Sequence, residues 1–451
     1  MSETRKTGRL RWALTVAVAV GAGSVLSAAL ITDAKATDGY FQDGYGARQK
    51  ALGGAGVADT KDATAIANNP AGLADVDNQL AGAITLFSPQ REYEAGLPGC
   101  TPPAFGCAPV PPGEHGSDRN LFAIPNIAYT HRIDSDTVFA LGMYGNGGMN
   151  TTYPDRIFSQ TSGSGVDLTQ ALISAAIARR IGRFSFGIAP ILAVQVFEAT
   201  GVDGFAPFSS DPANLSNTDY DFSFGGGVRA GIQYNLTDNV RLGIAGNSRL
   251  YMTKFQDYRG LFAEQGDFDI PASITAGIAV DVRPNLTLMF DYKHIFYSDV
   301  ASIANPQSNI FNCNPLVSPP SGPGCLGNDN GAGFGWHDID IFKVGIEWQA
   351  DDRWTWRAGY SYNESPIKSA DVTFNILAPG VVQHHITGGF KYKWSDDLDL
   401  EMAAVYVPES SVSGTNPFGA GQPVEIRMHQ YEATLGAVWH LGGEKELEPL
   451  K

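Results

Sequence analysis

From about residue 79 onward, the chain consists of segments in which apolar and polar residues alternate. In one such segment, one face carries Trp354, Trp356, Ala358, Tyr360 and Tyr362, and the other carries Thr355, Arg357, Gly359, Ser361 and Asn363. Successive side chains of a strand point to opposite faces, so each segment predicts a strand with one apolar face. Aromatic residues tend to lie at the ends of the apolar stripes. That is typical of the girdles of a transmembrane barrel, and a soluble sandwich has no reason to place them there.

Fourteen segments of this kind predict fourteen strands. They lie near 80–93, 120–132, 137–149, 166–180, 184–197, 220–235, 240–254, 268–282, 286–297, 337–350, 354–363, 383–394, 398–407 and 427–441. The connections alternate between short and long, as the periplasmic turns and external loops of bacterial barrels do. The pattern therefore predicts an all-β fold, a 14-stranded antiparallel transmembrane β-barrel over residues 79–441.

The N-terminus predicts a signal peptide over residues 1–36. Basic residues precede an uncharged run at 12–31, and Ala34-Lys35-Ala36 offers small residues for cleavage. A membrane anchor helix is the alternative, because the run is about 20 residues long. No later apolar run is long enough for a spanning helix, which excludes a helical membrane protein.

Residues 37–78 differ from the strands that follow, because they are rich in Gly, Ala, Asp and Asn and show no sustained alternation. This segment is too short to build a core of its own. We expect it to fold inside the lumen as an N-terminal hatch, or plug; a loose periplasmic extension is the alternative. At the other end, residues 442–451 form a charged C-terminal tail.

Composition agrees with a lipid-facing barrel. Charged residues make up 17% of the chain, aromatic residues 11%, and 52 residues are glycine. Soluble domains carry about 25% charged residues. The net charge of −16 argues against nucleic acid as a partner, and the aromatic content argues against disorder.

The four cysteines lie in long Pro/Gly-rich loops, two in each. An oxidising compartment favours disulfides, and of the three possible pairings we expect the local one, Cys100 with Cys107 and Cys313 with Cys325. A metal site is the alternative, but neither spacing resembles C-x-x-C.

No enzyme motif is present: the sequence has no G-x-S-x-G, no H-E-x-x-H and no Walker loop. The run Asn328-Asp329-Asn330-Gly331 predicts a turn rather than a calcium loop. His384 and His385 are neighbours on a predicted strand and face opposite ways, so they cannot chelate one ion. We expect no catalytic residues, no cofactor and no metal.

Several motifs resemble the FadL/TodX family of outer-membrane transporters for hydrophobic compounds. They are Gly44-Tyr45-Gly46-Ala47-Arg48 through Ala51-Leu52-Gly53-Gly54-Ala55-Gly56 to Asn69-Pro70-Ala71-Gly72, then Ile124-Pro125-Asn126, then Ala378-Pro379-Gly380-Val381-Val382-Gln383-His384-His385. The resemblance covers essentially the whole mature chain and identifies Asn69, Pro70 and Ala71 as the hatch motif. Two features depart from it: the charged tail after the last strand, and a short loop at 198–219 where the family gathers its ligand.

The resemblance implies a function. Members take up long-chain fatty acids or aromatic hydrocarbons passively across the outer membrane of Gram-negative bacteria. External loops capture the ligand, a lumenal pocket holds it, and an inward kink of the third strand releases it sideways into the membrane.

The run 144–149 is the candidate for that kink, because it breaks the alternation of the third strand. Glycines weaken a strand and permit a bulge. We predict a lateral gate made of Tyr144, Gly145, Asn146, Gly147 and Gly148; a flexible strand end is the alternative.

Several cations fall on the polar, lumenal face by alternation. A fatty acid needs one or two of them near its carboxylate, and a hydrocarbon needs none. The candidates are Arg229, Arg249, Lys293, Arg357 and Lys391. Mutual ion pairing is the alternative role for most.

We therefore expect passive outer-membrane transport of hydrophobic small molecules, first of all long-chain fatty acids. Aromatic hydrocarbons are the alternative substrate, and a lipid-modifying enzyme or a structural or adhesive barrel is the alternative of another class. Expected partners are the ligand, outer-membrane lipid and the barrel-assembly machinery, for a chain that acts as a monomer without nucleic acid.

Overall fold

The computed structural model describes residues 38–101, 107–159 and 161–442. The predicted signal peptide lies outside the described residues, as does the predicted C-terminal tail apart from Gly442.

Fourteen strands form the wall. They are β1 Gln79–Ala95, β2 Phe122–Arg132, β3 Thr137–Tyr153, β4 Ser164–Ile181, β5 Phe184–Thr200, β6 Asp221–Asn235, β7 Val240–Asn247, β8 Ser273–Arg283, β9 Leu286–Ile295, β10 Ile339–Gln349, β11 Trp354–Asn363, β12 His384–Ser395, β13 Leu398–Asn416 and β14 Gln422–His440. Two short strands add to the sheet: Gly113–Gly116 pairs with β1, and Tyr251–Met252 pairs with β6.

The wall is a closed antiparallel barrel. Each strand pairs with its neighbour along the chain, and β14 returns to pair with β1. The faces follow the alternation: on β11, Trp356 and Tyr360 are 46% and 42% exposed, whereas Arg357 is buried. An apolar exterior around a polar interior is the arrangement of a membrane barrel. The predicted fold class is confirmed.

The largest differences from the predicted strand bounds lie at the facing ends of β7 and β8 and of β13 and β14; β8 begins at Ser273 rather than near residue 268. β7 ends at Asn247 rather than at residue 254, because the chain turns inward and Arg249 pairs with Asp269 at 2.6 Å. β13 and β14 extend beyond their predicted external ends, since Ser410–Asn416 pairs with Gln422–Met428. On β13 the extension carries mainly Ser, Gly, Thr and Asn and has no apolar stripe to signal a strand.

Short helices occupy the loops and the lumen. The α-helical turns are α1 Gly46–Ala51, α2 Ala263–Gly266 and α3 Ala301–Ala304. The 3-10 turns are Ala63–Ala67, Pro70–Asp75, Asp203–Phe208, Pro212–Asn214, Tyr297–Asp299, Gln307–Asn312, Ser369–Asp371, Phe374–Ile376 and Pro417–Gly419. Within the described ranges, no helix combines the length and apolarity needed to cross a bilayer.

Residues 38–78, here called the lumenal segment, lie inside the barrel. Helix α1 packs against β12, β13 and β14, and the turn Pro70–Asp75 packs against β4, β5 and β6. Nearly all of the segment is buried, although it is rich in polar residues. Its polar groups therefore need partners on the inner wall.

Candidate functional site

Strand β3 separates from β2 part of the way along its length. Their pairing runs from Arg132 opposite Val138 to Asn126 opposite Tyr144 and then stops. Beyond that point β2 still pairs with β1, as far as Phe122 opposite Phe87. From residue 145 onward, β3 therefore has no hydrogen-bonded partner on β2.

The β3 bend, residues 144–150, turns into the lumen. All seven residues are buried, where a wall strand would alternate. The register with β4 shifts between Gly145 and Gly147, which is a β-bulge. A bulge bends its strand and is common beside functional sites. The five predicted gate residues all lie in this bend.

The lumenal segment takes the place of β2 along the bend. The backbone amide of Gln42 donates to the carbonyl oxygen of Asn146 at 3.0 Å, and that of Gly148 donates to Tyr40 at 3.2 Å. The Gln42 side chain donates to the carbonyl of Gly145 at 2.7 Å. An unpaired backbone group inside a membrane is costly, so these bonds stabilise the bend.

Side chains fix both faces of the bend. The Tyr144 hydroxyl accepts from Arg229 Nη1 at 3.0 Å and lies 2.9 Å from Ser174 Oγ. Its ring meets Tyr45 edge-on at 5.1 Å. Asn146 donates to the side chain of Gln170 at 2.8 Å. Tyr144 and Asn146 thus tie the bend to β4, β6 and the lumenal segment.

The Asn69-Pro70-Ala71 turn packs directly against the backbone of two wall glycines, Gly187 and Gly231. Asn69 caps its own turn by accepting from the Ala71 amide at 3.0 Å. A Cβ at Gly231 would lie 2.0 Å from Asn69 Oδ1, and one at Gly187 would lie 2.3 Å from the carbonyl carbon of Pro70. Glycine in a strand interior marks this kind of close approach.

The opposite wall holds α1 in the same way, with charges added. A Cβ at Gly359 of β11 would lie 2.1 Å from the carbonyl carbon of Leu52. Lys50 pairs with Asp43 at 2.9 Å and with Glu432 of β14 at 2.5 Å. Burial lowers the pKa of Lys50, but the two carboxylates raise it by more than burial lowers it, so the net shift is upward.

Most of the candidate cations have carboxylate partners. Arg357 pairs with Glu347 and Glu401. Arg249 pairs with Asp267 and Asp269, at the interruption that follows β7. Lys391 pairs with Asp399 at 3.4 Å. These contacts match the alternative of mutual ion pairing.

Lys293 and Arg229 differ from the others. Lys293 shares the carboxylate of Asp38 with Lys343, at 3.1 and 3.2 Å. Burial raises the pKa of Asp38, but Lys343, Lys293 and His385 together lower it, and the net shift is downward. Arg229 is buried and has no carboxylate partner among the described residues; it donates to Tyr144, to Asn247 and to the carbonyl of Ile66. With Lys293 it lines a cavity of about 40 Å³ beside Phe41.

An apolar cavity lies among the external loops. Its volume is about 60 Å³, and its lining residues include Phe158, Phe197, Phe205, Phe334 and Leu377. An open groove beside Cys107 and Arg156 shares Phe158 and Phe205 with it. The external groove and the apolar cavity are therefore neighbours that share two aromatic side chains.

Disulfides tighten two external loops. They join Cys100 to Cys107 and Cys313 to Cys325, which is the pairing expected from the sequence. In the described residues, no three metal-ligating side chains are grouped so that they could hold an ion.

Sequence reasoning missed Arg91. It lies on β1, is buried, and reaches the carbonyl oxygen of Asn150 at the end of the β3 bend, at 2.6 Å. Alternation places it on the inner face together with Tyr93, so the pattern alone was enough to propose it.

Comparison with known proteins gives consistent results. The chain is 23% identical to a long-chain fatty acid transport protein of Escherichia coli O6:H1 over 347 residues, which is 68% of this chain and 75% of that one. The crystal structure of a Pseudomonas aeruginosa FadL homologue matches with a TM-score of 0.64 at 16% identity, covering 90% of this chain and all of that one.

The Pseudomonas putida toluene transporter TodX matches with a TM-score of 0.62 at 18% identity, covering 89% of this chain and 99% of that one. At these identities the solved structures show the fold. The family model described as outer membrane protein transport protein (OMPP1/FadL/TodX) matches residues 25–434. The chain therefore belongs to this family of Gram-negative outer-membrane transporters for hydrophobic compounds.

Proposed function

We propose that this chain takes up long-chain fatty acids passively and releases them sideways through the β3 bend. The observation that carries the proposal is the loss of pairing between β2 and β3 above Tyr144. A membrane sheet is normally paired throughout, because lipid offers no hydrogen bonds. An interruption lined by a second segment is therefore a candidate outlet toward the bilayer.

The lumenal segment acts as the hatch in this proposal. Its Asn69-Pro70-Ala71 turn and α1 are held against glycines on opposite walls, which blocks a straight axial route. A ligand enters by the external groove, passes the apolar cavity and reaches the bend. The step needs no energy source and no chemistry, and one chain inserted by the barrel-assembly machinery is sufficient.

A fatty acid fits the charges better than a hydrocarbon does. Arg229 has no described carboxylate partner, and Lys293 shares one with Lys343. A neutral hydrocarbon gains nothing from such cations, whereas a carboxylate gains a charge-assisted hydrogen bond. Aromatic hydrocarbons remain the second candidate because the apolar cavity is lined by aromatic rings.

Substitution of the bend glycines tests the outlet. We expect Gly145→Val, Gly147→Val and Gly148→Val together to block oleate uptake by cells that lack their own fatty acid transporter, because branched side chains fill the bend. Gly82→Val on β1 is the control, since a Cβ there meets nothing within 4 Å. A heat-modifiable band on gels reports barrel assembly. Unchanged uptake by an assembled triple variant would remove the outlet.

The ligand class is tested separately by titration calorimetry of the purified protein with oleate and with toluene. Heat of binding with oleate is expected. Binding of toluene alone would transfer the proposal to aromatic hydrocarbons, and binding of neither would end it.

A further inference from the structure

Four arginines are buried in the described part of the chain, and they fall into two pairs. Arg48 and Arg357 contact carboxylates: Asp59 and Glu347 for the first, Glu347 and Glu401 for the second. Arg91 and Arg229 have no carboxylate partner among the described residues. A buried charge without a counter-charge is strongly unfavourable. The second pair therefore calls for an explanation that the first does not.

The two unpaired arginines hold opposite ends of the β3 bend. Arg229 Nη1 donates to the Tyr144 hydroxyl at 3.0 Å, where the pairing with β2 ends. Arg91 Nη1 donates to the carbonyl oxygen of Asn150 at 2.6 Å, six residues further on. Cations without counter-ions thus lie where the proposed outlet begins and ends.

Arg91 has donors to spare. Both hydrogen bonds of the Arg91 guanidinium come from Nη1, which donates to the carbonyl oxygen of Asn150 and to that of Arg119 at 3.1 Å. Nε and Nη2 donate to none of the described residues. A guanidinium carries five N–H donors in a fixed fork that matches a carboxylate with two parallel bonds. The Phe122 ring, 5.9 Å from Cζ, covers part of the group.

Arg91 also faces open space. It lines a small cavity of about 20 Å³ with Gly39, Gly148, Trp336 and Met428. Ala378 lines this cavity, and its neighbour Leu377 lines the apolar cavity. An amphipathic molecule that has its tail among the aromatic rings would therefore bring its head to Arg91.

We propose that Arg91 binds the carboxylate of an amphipathic acid at the junction of the apolar cavity and the β3 bend. This rests on the proposed function and narrows its substrate class, because a neutral hydrocarbon lacks the group that Arg91 recognises. The bound acid lies directly beside Asn150, at the end of the outlet.

The test compares palmitate with methyl palmitate, which differ only in the acidic head. The full chain is purified as wild type, Arg91→Gln, Arg91→Lys and Arg283→Gln, where Arg283 is the exposed last residue of β8 and serves as the control. We expect Arg91→Gln to weaken palmitate binding at least about tenfold, since charge-assisted hydrogen bonds are lost. Methyl palmitate binding is expected to change less than twofold. Arg91→Lys keeps the charge but loses the fork, so an intermediate affinity for palmitate is expected.

Equal effects of Arg91→Gln on acid and ester, or no effect on either, would overturn the assignment. If Arg91→Gln fails to assemble, Arg91→Lys carries the same comparison: a selective loss for the acid supports the site, and unchanged palmitate affinity overturns it. Wild-type protein that binds acid and ester equally well would overturn this inference alone. Wild-type protein that binds neither palmitate, methyl palmitate nor toluene would overturn the proposed function as well.

Discussion

Two junctions of the same wall are built differently. The seam between β1 and β14 pairs without a break from Gln79 opposite His440 to Ala95 opposite Val424. The junction between β2 and β3 stops at Asn126 opposite Tyr144, and the lumenal segment supplies the missing partners. Because lipid cannot satisfy backbone groups, a barrel gives up wall pairing only where another segment replaces it. The comparison teaches that the lumenal segment has two tasks: it fills the lumen, and it completes the wall at the bend.

The largest effect is expected on the seam side, where Lys50 ties α1 to β14. Lys50→Met leaves the carboxylates of Asp43 and Glu432 buried without their cation. We expect the free energy of unfolding in detergent micelles, measured by urea titration, to fall by about 3–5 kcal/mol. Lys61→Met is the control, because Lys61 is half exposed and lies 3.5 Å from Asp59. An equal loss of unfolding free energy in both variants would contradict a stabilising contact between Lys50 and β14.

A smaller effect is expected where α1 meets bare wall. Gly359→Val forces a side chain into Leu52, whereas Gly388→Val on β12 meets only one atom, at 3.7 Å. Overpacking of this kind costs about 1–3 kcal/mol. We expect Gly359→Val to displace the lumenal segment and raise ion conductance in planar bilayers, with Gly388→Val unchanged. If Gly359→Val kept the wild-type conductance, the segment would not be held at this point.

Alternation predicted the barrel well, because lipid imposes the same rule on every strand. Trp356 and Tyr360 face outward and Arg357 inward, as expected. The exposed apolar side chains of the wall strands follow the same rule. The rule fails where a strand lies outside the lipid and its outer face need not be apolar. For that reason the end of β7 at Asn247 and the polar extension of β13 were predicted wrongly.

The site was predicted in part. Glycines at 145, 147 and 148 indicated a bulge, and the structure has one between Gly145 and Gly147. Arg91 and Arg229 both lie on inner faces, but alternation does not show which cations find carboxylates. That depends on which lumenal residue lies opposite each of them, and the lumenal segment has no periodic pattern to reveal it.

The smallest effect concerns an external loop away from both junctions. Burial and the neighbouring Asp269 raise the pKa of Asp267 to about 6. The folded loop therefore prefers the protonated carboxyl, and it gains stability as the pH falls from above 6 toward 4. We expect slower proteolysis of residues 248–272 at pH 5 than at pH 7.5. Asp267→Asn should remove this difference, and Asp257→Asn, at an exposed position, should keep it.

The most direct test of the outlet is photo-crosslinking of the assembled protein with a fatty acid that carries a diazirine at its tail, followed by mass spectrometry of the labelled peptides. The account predicts labels in the apolar cavity, along the β3 bend at 144–150, and on residues 122–125 of β2, which have no partner on β3. Labels on the periplasmic side of the lumenal segment around the exposed Lys61, with none on the bend, would show axial passage and contradict lateral release.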